Sequence, residues 1–191
     1  MRLEILNSGY NFGTKVLFAF IRIVSGQPVP DAAKLGFYRP DFYGAIPFTH
    51  EAMRGPSAWS VGDRELMAAF VSKMNECEFC IGAHSAVASS AYQDKAKVAA
   101  VLSDLETAPI EEPLRATLRM LGKLTRNHGV DANDMQAVLT AGVSREQIED
   151  ALAVCFAFNV TNRLADAFGF FVPDPKGMEA GAKYLLSRGY R

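Results

Sequence analysis

Residues capable of thiol and proton chemistry crowd one short stretch, Cys77-Glu78-Phe79-Cys80-Ile81-Gly82-Ala83-His84. A CxxC at the start of a helix has a physical logic, because backbone N–H groups and the helix dipole favour a thiolate there. A free thiol titrates near ~8.5, and such a setting lowers that value. Two intervening residues let the sulfurs close into a disulfide within one turn. His84 follows Cys80 by four positions, so both project from one helical face. Its imidazole can accept the thiol proton directly or through a water. Only Cys80 has this relation, which reads Cys80 as the nucleophile and Cys77 as its resolving partner. Glu65 precedes Cys77 by twelve positions. Two antiparallel helices joined near Asn75 can bring its carboxylate beside His84. The same side chains admit a second reading, since two thiolates, an imidazole and a carboxylate make a tetrahedral zinc set. Against zinc, three of the four ligands share a turn and a half of helix, and no second CxxC or HxxxH supplies the other half.

The elements that must position these groups are helical. Leu66, Met67, Phe70, Val71 and Met74 form an apolar stripe behind the capping residues of Ser60-Val61-Gly62-Asp63, predicting a helix to about Met74. A second helix follows from about Phe79 to Ser90, and a third spans Asp94 to Leu105. Pro109 and Pro113 bracket a linker. Leu114, Leu118, Leu121 and Leu124 mark the next helix, ended at Asn127-His128-Gly129. Asp131 to Ala141 makes a short helix closed by Gly142. Ser144 with Gln147 is a capping box, opening a helix to about Phe168 that Gly169 closes. Its stretch ALAVCFAFNV is apolar nearly all round and predicts the central buried helix. A last helix covers Met178 to Arg188. Upstream, Leu6 to Ser25 reads as one helix with Phe12, Val16, Phe20 and Ile23 at helical spacing, stopped at Gly26. Between them, Asp31 to Pro56 is rich in Gly, Pro and aromatics, which reads as an ordered arm without a long regular element. No segment alternates with period two, so the predicted class is all-α. Val61-Gly62-Asp63-Arg64-Glu65 faintly echoes Gly142-Val143-Ser144-Arg145-Glu146, a hint of duplication.

Composition bounds the function. The chain has 191 residues, 49% hydrophobic and 21% charged, with a formal charge of -1. That excludes general disorder and gives no electrostatic case for nucleic acid or an anionic membrane. Three cysteines cannot build a secreted disulfide framework. The segment Val16 to Val24, interrupted by Arg22, is too short for a spanning helix and poor as a signal peptide, and reads as a packed or interface helix. The expected compartment is a reducing cytoplasm.

The spacing Glu65, Cys77, Cys80, His84 resembles the E-x11-CxxC-x3-H signature of the alkylhydroperoxidase D family, in the carboxymuconolactone decarboxylase superfamily. Arg64-Glu65-Leu66, Ser72, Asn75 and Asn162-Arg163-Leu164-Ala165-Asp166 agree with that context, and the late stretch resembles the longer, peroxidase-related members. The resemblance covers roughly His50 to Pro173. It divides the chain into an arm over 1–49, a helical core over 50–173 and a C-terminal helix over 174–191. It implies an all-helical homo-oligomer that reduces hydroperoxides through thiols, without a bound cofactor beyond a redox-active Cys77–Cys80 disulfide. Cys80 would attack the peroxide oxygen and become a sulfenic acid; Cys77 would condense with it; an external dithiol protein would restore both. Glu65 and His84 would relay the proton. The best-known members carry a histidine directly before the second cysteine, where this chain has Phe79. No role transfers to the arm.

Two other functions fit parts of the pattern. One is an acid–base decarboxylase of the same superfamily, which has no need of paired cysteines. The other is a metal-binding or thiol–disulfide exchange module. Among remaining candidates, Cys155 reads as a small hydrophobe in the core. His128 suits a helix C-terminus, and His50 reads as packing or as the border of a pocket. Arg163 and Asp166 read as a helical pair. The aromatics from Phe37 to Phe48 read as packing, a subunit seam or an apolar pocket lining.

Overall fold

The computed structural model describes residues 5–39 and 46–190. The described residues contain no strand. Their helices are α1 (Ile5–Ser8), α2 (Phe12–Ser25), α3 (Asp31–Tyr38), α4 (Ile46–Arg54), α5 (Val61–Met74), α6 (Glu78–Tyr92), α7 (Lys95–Ser103), α8 (Glu112–Asn127), α9 (Ala132–Thr140), α10 (Arg145–Phe168) and α11 (Pro175–Arg188). The all-α class follows directly.

Polar side chains start most of these helices by satisfying N–H groups that lack a partner within the helix. Ser60 accepts from Asp63 N–H, and Asp63 reaches back to the Ser60 N–H, opening α5 with a capping box. Ser144 and Gln147 do the same for α10, and Asp131 and Asp134 for α9. Asp94 and Asp174 cap α7 and α11. Left-handed Gly26 and Gly169 end α2 and α10 where the sequence places them.

Several expectations are corrected. The first predicted helix is two, because Asn11 takes extended backbone, accepts from Thr14 N–H and restarts the chain as α2. The stripe Phe12, Val16, Phe20 and Ile23 faces outward, with Phe12 82% and Ile23 80% exposed. Instead Phe18 turns inward, edge-on to Tyr10 and Phe37. The arm carries regular structure in α3 and α4, and α4 runs through residue 49 without a break. Pro113 lies inside the first turn of α8, where its missing N–H is not needed. Left-handed His128 ends that helix, with no glycine required. The duplication echo is out of register: Glu65 stands five positions after its cap Ser60, and Glu146 two after Ser144. Residues 40–45, including Phe42 and Tyr43, lie outside the described residues. Phe37 packs on Phe18, whereas Phe48 packs on Phe156, so these two do not share one cluster. No helix among the described residues is long and apolar enough to cross a membrane.

The central helix is α5, not α10. Every residue from Arg64 to Ser72 is buried, with α6, α8 and α10 packed around it. Helix α10 instead leaves Phe156 60% exposed and buries only one side, through Ile148, Ala151, Val154, Cys155 and Phe158. Uniform apolarity gave no stripe from which to read its buried side. The main core joins Leu66, Met67, Val71, Leu118, Leu121, Val154 and Phe158. Each such large side chain contributes roughly 1.5–3 kcal/mol when fully buried. A smaller cluster joins Leu6 of α1 and Leu35 of α3 to Cys77, Cys80, Ala165 and Phe170. The N-terminal arm thus covers the two thiols. Asp31 pins it there, accepting the Phe171 N–H at 2.9 Å.

Candidate active site

Helix α5 ends at Asn75, and Glu76 turns the chain with a left-handed φ of 58°. The Cys77 N–H then returns to the Ser72 carbonyl at 3.1 Å, and Cys77 becomes the N-cap of α6. This tight antiparallel turn sets the CxxC beside the last turn of α5. An amide network fastens α10 to the same place. Asn75 donates to Asn162 at 2.9 Å and to Asn159 at 3.1 Å, while Asn162 donates to Ser72 Oγ at 2.9 Å. Ser72, Asn75 and Asn162, which share the sequence context of the signature, are therefore one hydrogen-bonded unit.

Glu65 and His84 meet as the antiparallel pairing predicts. Glu65 is fully buried, and its Oε2 lies 2.8 Å from His84 Nδ1. Its Oε1 accepts from Arg54 Nη2 at 2.6 Å. Tyr190 Oη lies 2.9 Å from Oε1, 3.1 Å from Oε2 and 3.2 Å from His84 Nδ1. Burial alone pushes the Glu65 carboxyl up, but hydrogen bonding and charge from His84 and Arg54 outweigh it and hold the group below its ordinary range. Glu65 is thus a carboxylate, and His84 donates to it from Nδ1. Phe158 packs edge-on to the imidazole, with ring centres 4.4 Å apart.

Cys77 and Cys80 are free thiols, both buried and unbonded to each other covalently. The Cys80 thiol donates to Cys77, which lowers the Cys77 pKa against the cost of burial. The same bond, with burial and the nearby Cys77 charge, pushes Cys80 well up; Asn162 opposes this by donating to it. The two thiols therefore titrate as a coupled pair, with Cys77 lowered and Cys80 raised. No hydrogen bond joins Cys80 to His84 among the described residues, although they stand one turn apart on α6. Nor do any three His, Cys, Asp or Glu side chains among the described residues gather as a metal site. The carboxylate that would complete a zinc set is committed to His84 and Arg54.

Outside the predicted quartet, the site contains Arg54, Asn162, Asp166 and Tyr190. Arg163 does not pair with Asp166. It donates to the Asn159 carbonyl at 2.7 Å, while Asp166 faces the thiols. A cleft of about 270 Å³ lies at Asp166, lined also by Glu76, Glu78 and Phe79, with both cysteines buried behind its lining rather than part of it. Phe79, the departure from the signature, packs edge-on to Phe170. It gives this wall an apolar ring in place of a titrating one. His50 borders the site through the C-terminal tail, accepting the Tyr190 N–H at 3.2 Å. Cys155 behaves as core, its thiol pushed up by burial.

Comparison with known proteins agrees with this architecture. The carboxymuconolactone decarboxylase family matches residues 40–121, a span holding Glu65, Cys77, Cys80 and His84. A peroxidase-related protein of uncharacterized function from Silicibacter sp. TM1040 shares the fold at a TM-score of 0.75 and 24% identity, over 89% of this chain and 90% of that one. Another, from Ralstonia eutropha JMP134 and described as an alkylhydroperoxidase AhpD core, gives a TM-score of 0.74 and 23% identity, over 91% and 92%. No curated protein matches the chain. The family match thus spans the four residues of the site, and the likeness to these two structures is one of fold.

Proposed function

We propose that this protein is a thiol-dependent hydroperoxide reductase. The observation that carries the reading is a buried, ionised Glu65 holding His84 one helical turn from Cys80, itself hydrogen-bonded to the second free thiol, Cys77. Burial and Cys77 push the Cys80 thiol up, so Cys80 is a poor nucleophile without a base, and His84 backed by Glu65 is that base. Its proton travels through a bridging water or the peroxide itself. The Cys80 sulfur attacks the terminal peroxide oxygen and the O–O bond breaks. The departing alkoxide takes the proton from His84 and leaves as an alcohol. Cys80 is then a sulfenic acid, which the Cys77 thiol attacks, releasing water and forming the disulfide. An external dithiol protein returns both cysteines to thiols. Both thiols are buried, so peroxide and reductant reach them only when the covering side chains move, and the cleft at Phe79 and Asp166 is the proposed side of approach. The working assembly is proposed as a homo-oligomer in the cytoplasm, with no cofactor beyond the cysteine pair.

Reduced protein treated with metal chelator should consume an organic hydroperoxide with dithiothreitol as electron donor, one peroxide per dithiol. Absence of consumption sinks the reading. His84→Ala should move the pH midpoint of Cys80 alkylation by iodoacetamide upward, because the thiol loses its proton acceptor. An unchanged profile removes His84 from the relay.

A further inference from the structure

We propose that Tyr190 is a positioning residue for the Glu65–His84 pair: its hydroxyl donates to Glu65 and its ring lies along His84, holding the imidazole hydrogen on Nδ1 and leaving Nε2 as the base. The use made of that base rests on the hydroperoxide reading; the geometry of the pair does not.

The penultimate stretch of the chain is built into the site. Tyr190 lies 125 positions from Glu65, yet its Oη stands 2.9 and 3.1 Å from the two carboxylate oxygens. Its ring is nearly parallel to the imidazole, at 12° with centres 6.2 Å apart. Arg54 closes another side, its guanidinium carbon 5.1 Å from the tyrosine ring centre. The backbone is held as well. Arg54 Nη2 donates to the Leu185 carbonyl at 3.1 Å, and the Tyr190 N–H donates to His50 Nδ1 at 3.2 Å. Gly189 makes the turn at φ 68°, and a Cβ there would lie 2.8 Å from His50 Cε1. The stretch that follows α11 is thereby fixed against the site.

The charges around the pair fix the sign of its effect. Helix α4 contributes Arg54 and His50, α5 contributes Arg64, α6 contributes Cys77 and Cys80, and α10 contributes Asp166. Within this shell Arg54, Tyr190 and His84 are the donors to Glu65. Without the hydroxyl, the carboxylate loses one of the donors that orient it and the imidazole loses the group beside Nδ1, so the ring is held less firmly. The neutral ring then places its hydrogen on Nε2 more often, and in that tautomer Nε2 no longer accepts.

The test is Tyr190→Phe in the full chain, which keeps the ring and removes only the hydroxyl. Cys80 alkylation by iodoacetamide is followed across the thiol titration range by mass mapping, and the His84 tautomer by ¹⁵N NMR. The midpoint should rise by about half a unit to one unit, and the Nδ1–H tautomer should lose population. Superimposable profiles with an unchanged tautomer overturn the proposal. Neither readout uses peroxide. A shifted profile in a protein that consumes no hydroperoxide keeps the Tyr190 role and discards the reductase. An unmoved profile in an active reductase discards Tyr190 alone.

Discussion

Cys80→Ser is expected to lower hydroperoxide turnover by on the order of a thousandfold or more, because the reaction then has no sulfur to oxidise. The helical fold should survive. Cys80 lies in the small cluster with Leu6, Leu35, Cys77, Ala165 and Phe170, and serine is close to it in size. Far-UV circular dichroism of the variant should match the parent. The partner substitution separates the two thiols. Cys77→Ser should still form one sulfenic acid at Cys80, trapped by dimedone, but no internal disulfide. Cys77 is the thiol whose pKa is lowered and Cys80 the one raised, so the assignment has a clear opposite outcome. Sulfenic acid trapped on Cys77 in Cys80→Ser, and none on Cys80 in Cys77→Ser, would reverse the roles. Full turnover in Cys80→Ser would remove the thiol mechanism altogether.

Glu65→Gln is expected to damage both stability and activity. The amide leaves the Arg54 charge, with a side chain only 11% exposed, without its anion. Breaking a buried pair by removing one partner costs roughly 3–5 kcal/mol, and urea unfolding should register a loss of that order. Activity should fall by roughly 10²–10⁴-fold, the usual size of a general acid–base contribution. The pH dependence adds a signature. The folded pKa of Glu65 lies below its ordinary value, so the unfolded chain holds the proton more readily. The resulting stabilisation is complete above the unfolded value, near ~4.3, and disappears as pH falls through the lower folded value. Parent protein should therefore lose stability across that acid window, and Glu65→Gln should lack this component. Identical acid limbs in the two proteins would show that Glu65 is not held as a carboxylate.

Much of the scaffold was legible because its signals are local. Ser144 with Gln147 forms the predicted capping box and Ser60 to Asp63 supply the predicted cap of α5, whereas the Asp131–Asp134 box opens a helix that was legible as an element and not by its cap. The Glu65–His84 contact was legible at one remove, through two helices joined by a short turn. Buried sides were less so. Nearly uniform apolarity in α10 hid the side that Phe156 leaves in solvent, while α5 buries Arg64 and Glu65 inside the core. Arg54 and Tyr190 carried no local signal at all. They reach Glu65 across 11 and 125 positions, through the docking of α11 against α6 and the turn at Gly189. Asn162 and Asp166 stood in a recognised stretch, but i,i+3 spacing suggested a pair for Asp166 that Arg163 makes with Asn159 instead. The outward apolar stripe of α2 shows the same limit, since periodicity reports a face and not what it meets.

The central claim is that Cys77 and Cys80 form a peroxide-driven dithiol. Its most direct test is a mass-mapped thiol count on fully reduced, metal-free protein before and after one equivalent of organic hydroperoxide. The account predicts a Cys77–Cys80 disulfide that forms rapidly, leaves Cys155 as a thiol and is reversed by a dithiol. Two free thiols at Cys77 and Cys80 after the peroxide has been added would contradict it.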